Sequence, residues 1–287
     1  MIKILIAGAT GYLGSYVAEE CTRQGYYLKV LVRNYEKFKK SGIQANEIIT
    51  AQITDKKTLA GCCKDTDIVF SSVGITRQKD GLTYMDVDYQ VNLNLLEEAK
   101  QSGAKKFVYV SVFNGENLRR LKICEAKEKF VDALKESGLD YCVIRPTGYF
   151  SDMKEFFTMA EKGRVYLFGK GNHKMNPIYG RDLAKVCVDA MFSDKPEINM
   201  GGPEVLSHEQ IAETAFSVAG KKKRITHIPN WITKIILSVL RTFTSSKVYG
   251  PIEFFITVLS MDLIAPEYGN HTLKKYFEEL KSGQATS

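Results

Sequence analysis

Three glycines at intervals of three, Gly8, Gly11 and Gly14, stand directly after an apolar run at residues 2–7 and directly before a helical pattern. Each has a physical task in a strand-turn-helix. Gly8 permits the tight turn, Gly11 lets the backbone approach a pyrophosphate, and Gly14 lets the helix lie close on the sheet. The first amides of the helix face the phosphate charge. Thr10, Tyr12 and Leu13 complete the loop, and the spacing predicts a dinucleotide-binding unit at the start of the chain.

Beyond the loop, apolar β-rich runs at 27–32, 47–51, 68–72, 106–111 and 141–145 alternate with helical patterns near 12–24, 55–62, 85–102 and 117–137. Parallel neighbouring strands require crossovers, so this alternation predicts an α/β Rossmann fold, a doubly wound parallel sheet. Gly25, Gly103 and Gly138 each close a helical pattern before a strand, where a left-handed C-cap is least costly without a Cβ. Past residue 150 the rhythm changes. A helix near 152–162, a strand near 164–168 and helices near 180–192, 207–219, 229–243 and 251–263 predict a smaller C-terminal α/β lobe. The expected division is 1–150 for the NAD(P)-binding unit and 151–287 for a lobe that closes the substrate site.

The second strand ends Val32-Arg33-Asn34, where an NAD-preferring site offers an acid to the ribose 2′-hydroxyl. Arg33 instead suits a 2′-phosphate, and Lys37 one turn later adds positive charge, so NADP(H) is preferred over NAD(H). After the fourth strand, Ser71, Ser72, Val73 and Gly74 are small enough to let a dinucleotide lie against the strand end.

A chain of 287 residues with 44% hydrophobic content builds a large core, and its net charge of +7 has one tight cluster, Lys221 to Arg224, read as a solvated turn rather than a nucleic-acid or lipid-headgroup patch. The cysteines at 21, 62, 63, 124, 142 and 187 lack zinc or redox spacing and read as small hydrophobes in a reducing, cytoplasmic setting. The first apolar run contains Lys3 and leads straight into the glycine loop, which is not the pattern of a signal peptide. Two later apolar stretches, 231–240 and 252–264, fall short of the ~20 residues that span a bilayer. They read as amphipathic helices covering a pocket, with room for a peripheral membrane or protein contact.

Taken together, the chain resembles the atypical short-chain dehydrogenase/reductases, the branch that holds NmrA-like proteins, isoflavone-reductase-like enzymes, divinyl chlorophyllide reductases and the dinucleotide-binding accessory subunit of respiratory complex I. The resemblance runs almost end to end. It rests on the glycine loop, Phe107-Val108-Tyr109-Val110-Ser111, Ala126-Lys127-Glu128, Ser137-Gly138-Leu139-Asp140-Tyr141 and Arg145-Pro146-Thr147-Gly148-Tyr149-Phe150. Asn176-Pro177-Ile178 with Asp182-Leu183-Ala184, and Gly201-Gly202-Pro203-Glu204, resemble the family's C-terminal lobe. The resemblance adds Ser111, Lys127, Pro146 and Tyr149 to the cofactor contacts and implies substrate contacts from Asn114, Tyr149, Phe150 and His173.

The superfamily's usual catalytic pair is Tyr-x-x-x-Lys. Lys127 matches the lysine, but Ile123 stands where the tyrosine belongs and cannot exchange a proton. Two readings survive. In the leading one, the protein is an NADPH-dependent reductase of a small hydrophobic substrate, with Lys127 as the catalytic residue. In the other, it is a non-catalytic dinucleotide sensor or an assembly or accessory protein. A sugar-nucleotide epimerase or dehydratase ranks lower, because those reactions depend on the missing tyrosine.

Overall fold

The computed structural model describes residues 1–76 and 81–284, and the chain divides into two compact units. The first comprises Met1–Arg145 and Leu183–Ile198, the second Pro146–Asp182 and Asn199–Ser287. Residues 146–150 thus fall with the second unit, and residues 183–198 return to the first.

In chain order the first unit contains β1 (Lys3–Ala7), α1 (Tyr12–Arg23), β2 (Tyr27–Val32), α2 (Tyr35–Lys40), β3 (Glu47–Thr50), β4 (Ile68–Ser71), α3 (Asn92–Gln101), β5 (Lys106–Val110), α4 (Lys122–Lys135), β6 (Asp140–Pro146) up to Arg145, and α6 (Gly180–Ala190) from Leu183 onward. The central sheet runs β3-β2-β1-β4-β5-β6, with β9 (Glu197–Met200) added as a seventh strand at the β6 edge. Every registered pair among β1 to β6 is parallel. Strand order reverses between β1 and β4, and in open α/β sheets a ligand binds beyond the strand ends at such a switch point.

Ile4, Leu5, Ile6 and Ala7 are all buried, which is how a central parallel strand covered on both faces reads. Val91, Leu95, Leu96 and Ala99 from the α3 side join Phe130, Val131 and Leu134 of α4 in the core beneath β4 and β5. Burial rather than propensity holds these helices, since each is only a few turns long. All six cysteines are free and buried.

The helical pattern expected over 85–102 opens as a π-helix, Met85–Val91, before continuing as α3. That expected at 55–62 is a single 3-10 turn, Lys56–Leu59. The stretch at 117–137 splits into a 3-10 turn, Gly115–Leu118, and α4.

The second unit contains α5 (Phe150–Glu161), β7 (Val165–Phe168), β8 (Lys174–Met175), the start of α6 (Gly180–Ala190), β10 (Leu206–Ser207), α7 (His208–Ala219), β11 (Ile225–Ile228), α8 (Asn230–Phe243), α9 (Ser246–Val258) and α10 (Leu273–Lys281). β7 pairs in parallel with β11, and β8 antiparallel with β10. Asn176 is the staple of the unit. Its Nδ2 donates to Ala265 O at 2.8 Å and to Gly202 O at 3.2 Å, and its Oδ1 accepts from Ala265 N at 3.1 Å. Asp182 Oδ2 accepts from the amides of Asn270 and His271, both at 3.3 Å.

The helix expected over 251–263 lies earlier, at Ser246–Val258, with Pro251 inside it. Tertiary pairing removes the end of the predicted stretch, because Leu263 N donates to Lys174 O at 2.8 Å and Asn176 N to Leu263 O at 3.2 Å. The late apolar stretches also leave much of their apolar surface in solvent. Trp231, Ile235, Ile236, Val239 and Phe243 of α8 and Val248, Ile252 and Phe255 of α9 are solvent-exposed. Periodicity reveals that a helix has an apolar face, but not what covers it.

Candidate functional site

The glycine loop lies between β1 and α1 as expected. Gly8 has φ of 95°, a conformation that favours glycine, and Gly11 N donates to Gly8 O at 2.9 Å to close the turn. A Cβ on Gly14 would lie 2.1 Å from Gly8 O, so only glycine lets α1 enter this close to the loop. Gly11, the N-cap of α1, brings no side chain, and the first turn of the helix holds no acid. An uncapped, acid-free helix N-terminus behind an exposed Thr10-Gly11 turn is suited to a phosphate. The loop therefore fits the pyrophosphate of a dinucleotide.

Arg33 directly follows β2 and is exposed, as is Lys37 in α2. Asn34 caps that helix by accepting from Lys37 N at 2.8 Å, which fixes the backbone carrying both cations beyond the strand end. At the end of β4, the Ser71 hydroxyl is buried and donates to Asn92 Oδ1 at 2.6 Å, while Val73 N donates to Ser71 Oγ at 3.2 Å. Ser71 thus shapes the strand end from within, and Ser72 and Gly74 form its accessible wall.

Lys127 projects from α4 with 13% of its side chain exposed, and its Nζ lies 2.9 Å from Asp88 Oδ1, whose side chain has no exposed surface. Asp88 Oδ2 also accepts from Ile75 N at 3.2 Å. Burial pushes the Asp88 carboxyl above its ordinary range, opposed by the charge and hydrogen bond of Lys127. Gly74 makes room for the pair: a Cβ there would lie 2.5 Å from Asp88 Oδ1 and 2.8 Å from Lys127 Nζ. Tyr109, fully buried in β5, offers its ring to the ammonium at 5.6 Å, and burial raises its phenol, which stays neutral.

Asp88 and Asn92 are site residues that the motifs do not reveal. Asn92 Nδ2 donates to Val73 O at 3.2 Å and to Asp88 O at 2.9 Å, tying the π-helix to the β4 strand end. The signal was present in the helical pattern, where Asp88 and Asn92 share the buried face with Val87, Val91, Leu95 and Leu96. A charge and an amide on an apolar face need partners.

Ser111 at the end of β5 serves the buried interior. Its hydroxyl donates to Glu128 Oε1 at 2.7 Å, and Glu128 forms a bidentate pair with Arg145 at 2.6 and 2.8 Å. Arg145 Nε further contacts Glu197 at 3.1 Å. Asn114 follows with φ of 57° and heads the 3-10 turn, half-buried. Ile123, four residues before Lys127, is buried in α4.

Pro146, Tyr149, Phe150 and His173 belong to the second unit. Pro146 ends β6, and Tyr149 N donates to Asp152 Oδ2 at 3.1 Å at the start of α5. Phe150 is buried among Tyr179, His271 and Tyr276 with ring centroids 5.5 to 6.2 Å away, so its ring is occupied by packing rather than offered to a substrate. His173 Nδ1 lies 3.2 Å from Asp262 Oδ1 on the rim of an open pocket of about 450 Å³ that Lys170 and His227 also line.

A doubly wound parallel sheet with a glycine turn at its switch point defines a Rossmann-type dinucleotide-binding protein, consistent with the resemblance to the atypical short-chain dehydrogenase/reductases. Comparison with known families agrees: residues 8–194 match the NAD(P)H-binding family, and the chain belongs to it. It is 28% identical to the photosystem II assembly factor Ycf39 of Guillardia theta, over 79% of this chain and 74% of that one. It is 26% identical to the chloroplastic divinyl chlorophyllide a 8-vinyl-reductase of Cucumis sativus, over 98% of this chain and 76% of that one. Among solved structures, the NADPH-dependent quinone oxidoreductase QOR2 of Escherichia coli shares the fold with a TM-score of 0.72 at 17% identity, covering 97% of this chain and 99% of that one. Its relatives thus include both a reductase and an assembly factor.

Proposed function

We propose that the protein is an NADP(H)-dependent reductase of a small hydrophobic carbonyl or alkene compound. The observation that carries this reading is the Lys127–Asp88 pair, a lysine with 13% of its side chain exposed held at 2.9 Å by a buried carboxylate beside Gly74. Isolated buried charge is costly, and a pair of this kind beside a switch point is a hallmark of a functional site. Its likeness to a divinyl reductase and to the fold of a quinone oxidoreductase supports the same class of chemistry.

The glycine loop and the wall of Ser72 and Gly74 would hold the dinucleotide, and Arg33 with Lys37 would hold a 2′-phosphate. When bound, NADPH supplies hydride. Lys127 Nζ supplies the proton that balances the hydride, and Asp88 with the Tyr109 ring keeps the ammonium oriented toward the strand end. Ile123 takes no part in proton transfer.

Steady-state turnover against hydrophobic quinones, enones and vinyl compounds, measured beside dinucleotide titration, tests the reading. Lys127→Ala should abolish turnover while leaving dinucleotide affinity within about tenfold. Dinucleotide binding without turnover on any such compound would instead favour a non-catalytic assembly protein. Two observations support that second reading: Ile123 at the tyrosine position, and the resemblance to an assembly factor.

A further inference from the structure

We infer that the α8–α9 helix pair is a docking surface for an anionic lipid membrane, on which the protein sits without crossing it. α8 leaves Trp231, Ile235, Val239 and Phe243 in solvent at helical spacing, with Trp231 63% and Phe243 80% exposed. α9 adds exposed Val248, Ile252 and Phe255. Monomeric soluble proteins rarely leave so many large apolar side chains together in water, and such patches mark interaction sites.

Charge selects the occupant. From residue 221 to residue 252 the chain carries Lys or Arg at 221, 222, 223, 224, 234, 241 and 247, and no Asp or Glu. The acids that border this stretch are already engaged. Glu253 is buried and pairs with Arg241, and Asp262 accepts from Lys174 N at 2.9 Å and pairs with His173. Lys223 answers Glu209 and Glu213 and Arg241 answers Glu253, so the positive excess of the stretch rests on Lys221, Lys222, Arg224 and Lys234.

On the helical wheel, Trp231, Ile235, Val239 and Phe243 form one arc, and Lys234 and Arg241 both lie past its Trp231 edge, Arg241 there in its pair with Glu253. Long cationic stems at the edge of an apolar face reach back to headgroups while the face enters the acyl boundary. The 14 residues of α8 extend about 21 Å, short of the ~30 Å hydrocarbon core, and no helix among the described residues is long and apolar enough to cross a membrane. The helix therefore lies along the surface. A protein partner would have to supply acids to match the lysines, whereas phosphate headgroups meet the cations and the apolar residues together.

Trp231 is the sole tryptophan, so its emission reports on this face alone. The full chain is titrated with phosphatidylcholine vesicles and with vesicles containing about 30% phosphatidylglycerol. Emission should shift to the blue with the anionic vesicles, and partitioning should exceed that on neutral ones by at least about tenfold, a preference lost in high salt. The double variant Ile235→Ser, Phe243→Ser should weaken partitioning by at least about tenfold. Lys234→Glu, Lys247→Glu should remove the anionic preference, with dinucleotide titration of both variants unchanged as the check on folding. If the apolar variant unfolds, the charge variant carries the test alone. No blue shift on anionic vesicles, equal partitioning on neutral ones, or a shift that follows protein concentration without lipid would overturn the proposal, the last identifying a second copy of the chain as the occupant.

Discussion

Asp88 Oδ1 lies 2.9 Å from Lys127 Nζ, with the Asp88 side chain fully buried and 13% of the Lys127 side chain exposed. The carboxylate is fixed from its other oxygen by Ile75 N at 3.2 Å, so Asp88 can hold Lys127 in the orientation that the proposed reaction needs. Asp88→Asn keeps the shape and removes the charge. We expect turnover to fall by about 10- to 100-fold, as for the loss of a group that orients an acid-base residue, with dinucleotide affinity held within about threefold. A matching fall in affinity, or no change in turnover, would show that Asp88 serves only packing.

Arg33 stands in solvent at the end of β2, with its backbone set by the Asn34 cap of α2. Arg33→Ala should weaken NADPH binding by about 10- to 100-fold and leave NADH binding nearly unchanged, since only the former carries a 2′-phosphate. Calorimetric titration with both dinucleotides measures this directly. Equal binding of the two by the unmodified protein would remove the basis for assigning Arg33 that role.

The Glu128–Arg145 pair is buried at both ends, with side-chain exposures of 1% and 2%. Removing one partner strands the other charge, so Arg145→Met should cost about 3–5 kcal/mol of stability. The double variant Glu128→Leu, Arg145→Met should recover much of that loss, because the desolvation penalty disappears with both charges. Denaturant unfolding of the three proteins provides the comparison, and additive losses would contradict it.

His208, buried at the start of α7, is held down to about 4 by desolvation and by the nearby His173. Its unfolded counterpart titrates near the ordinary 6.5, so between the two values the unfolded chain binds the extra proton. The stability due to the neutral ring is complete above pH 6.5, falls as pH drops toward 4, and is flat below. The total loss is about 3 kcal/mol. Thermal melts across this window should show that slope, and His208→Gln should remove most of it.

Much of the first unit was legible in the residues themselves. A glycine triplet after a buried apolar run admits few backbones, and six such runs separated by crossovers admit few sheets, because these are local demands on turn geometry and burial. The seventh strand, β9, was not legible, because Glu197-Ile198-Asn199-Met200 becomes a strand only when the edge of β6 accepts it.

The site divides along the same line. Gly8, Gly11 and Gly14 could be named from their spacing and Arg33 from its place after the second strand, while Lys127 was named through the family resemblance. The helical pattern marks Asp88 and Asn92 only as polar residues on a buried face, because their partners Val73, Ile75 and Lys127 are distant in sequence and meet them only in the folded sheet. Ser111 and Phe150 looked available to a ligand and are held by Glu128 and by an aromatic cluster. Periodicity established that α8 and α9 have apolar faces, and only the folded chain left those faces in water. The amino-acid order determines where backbone can turn and which side of an element is apolar. Which partner satisfies a buried charge, and which apolar face remains uncovered, depends on contacts between segments that sequence spacing does not encode.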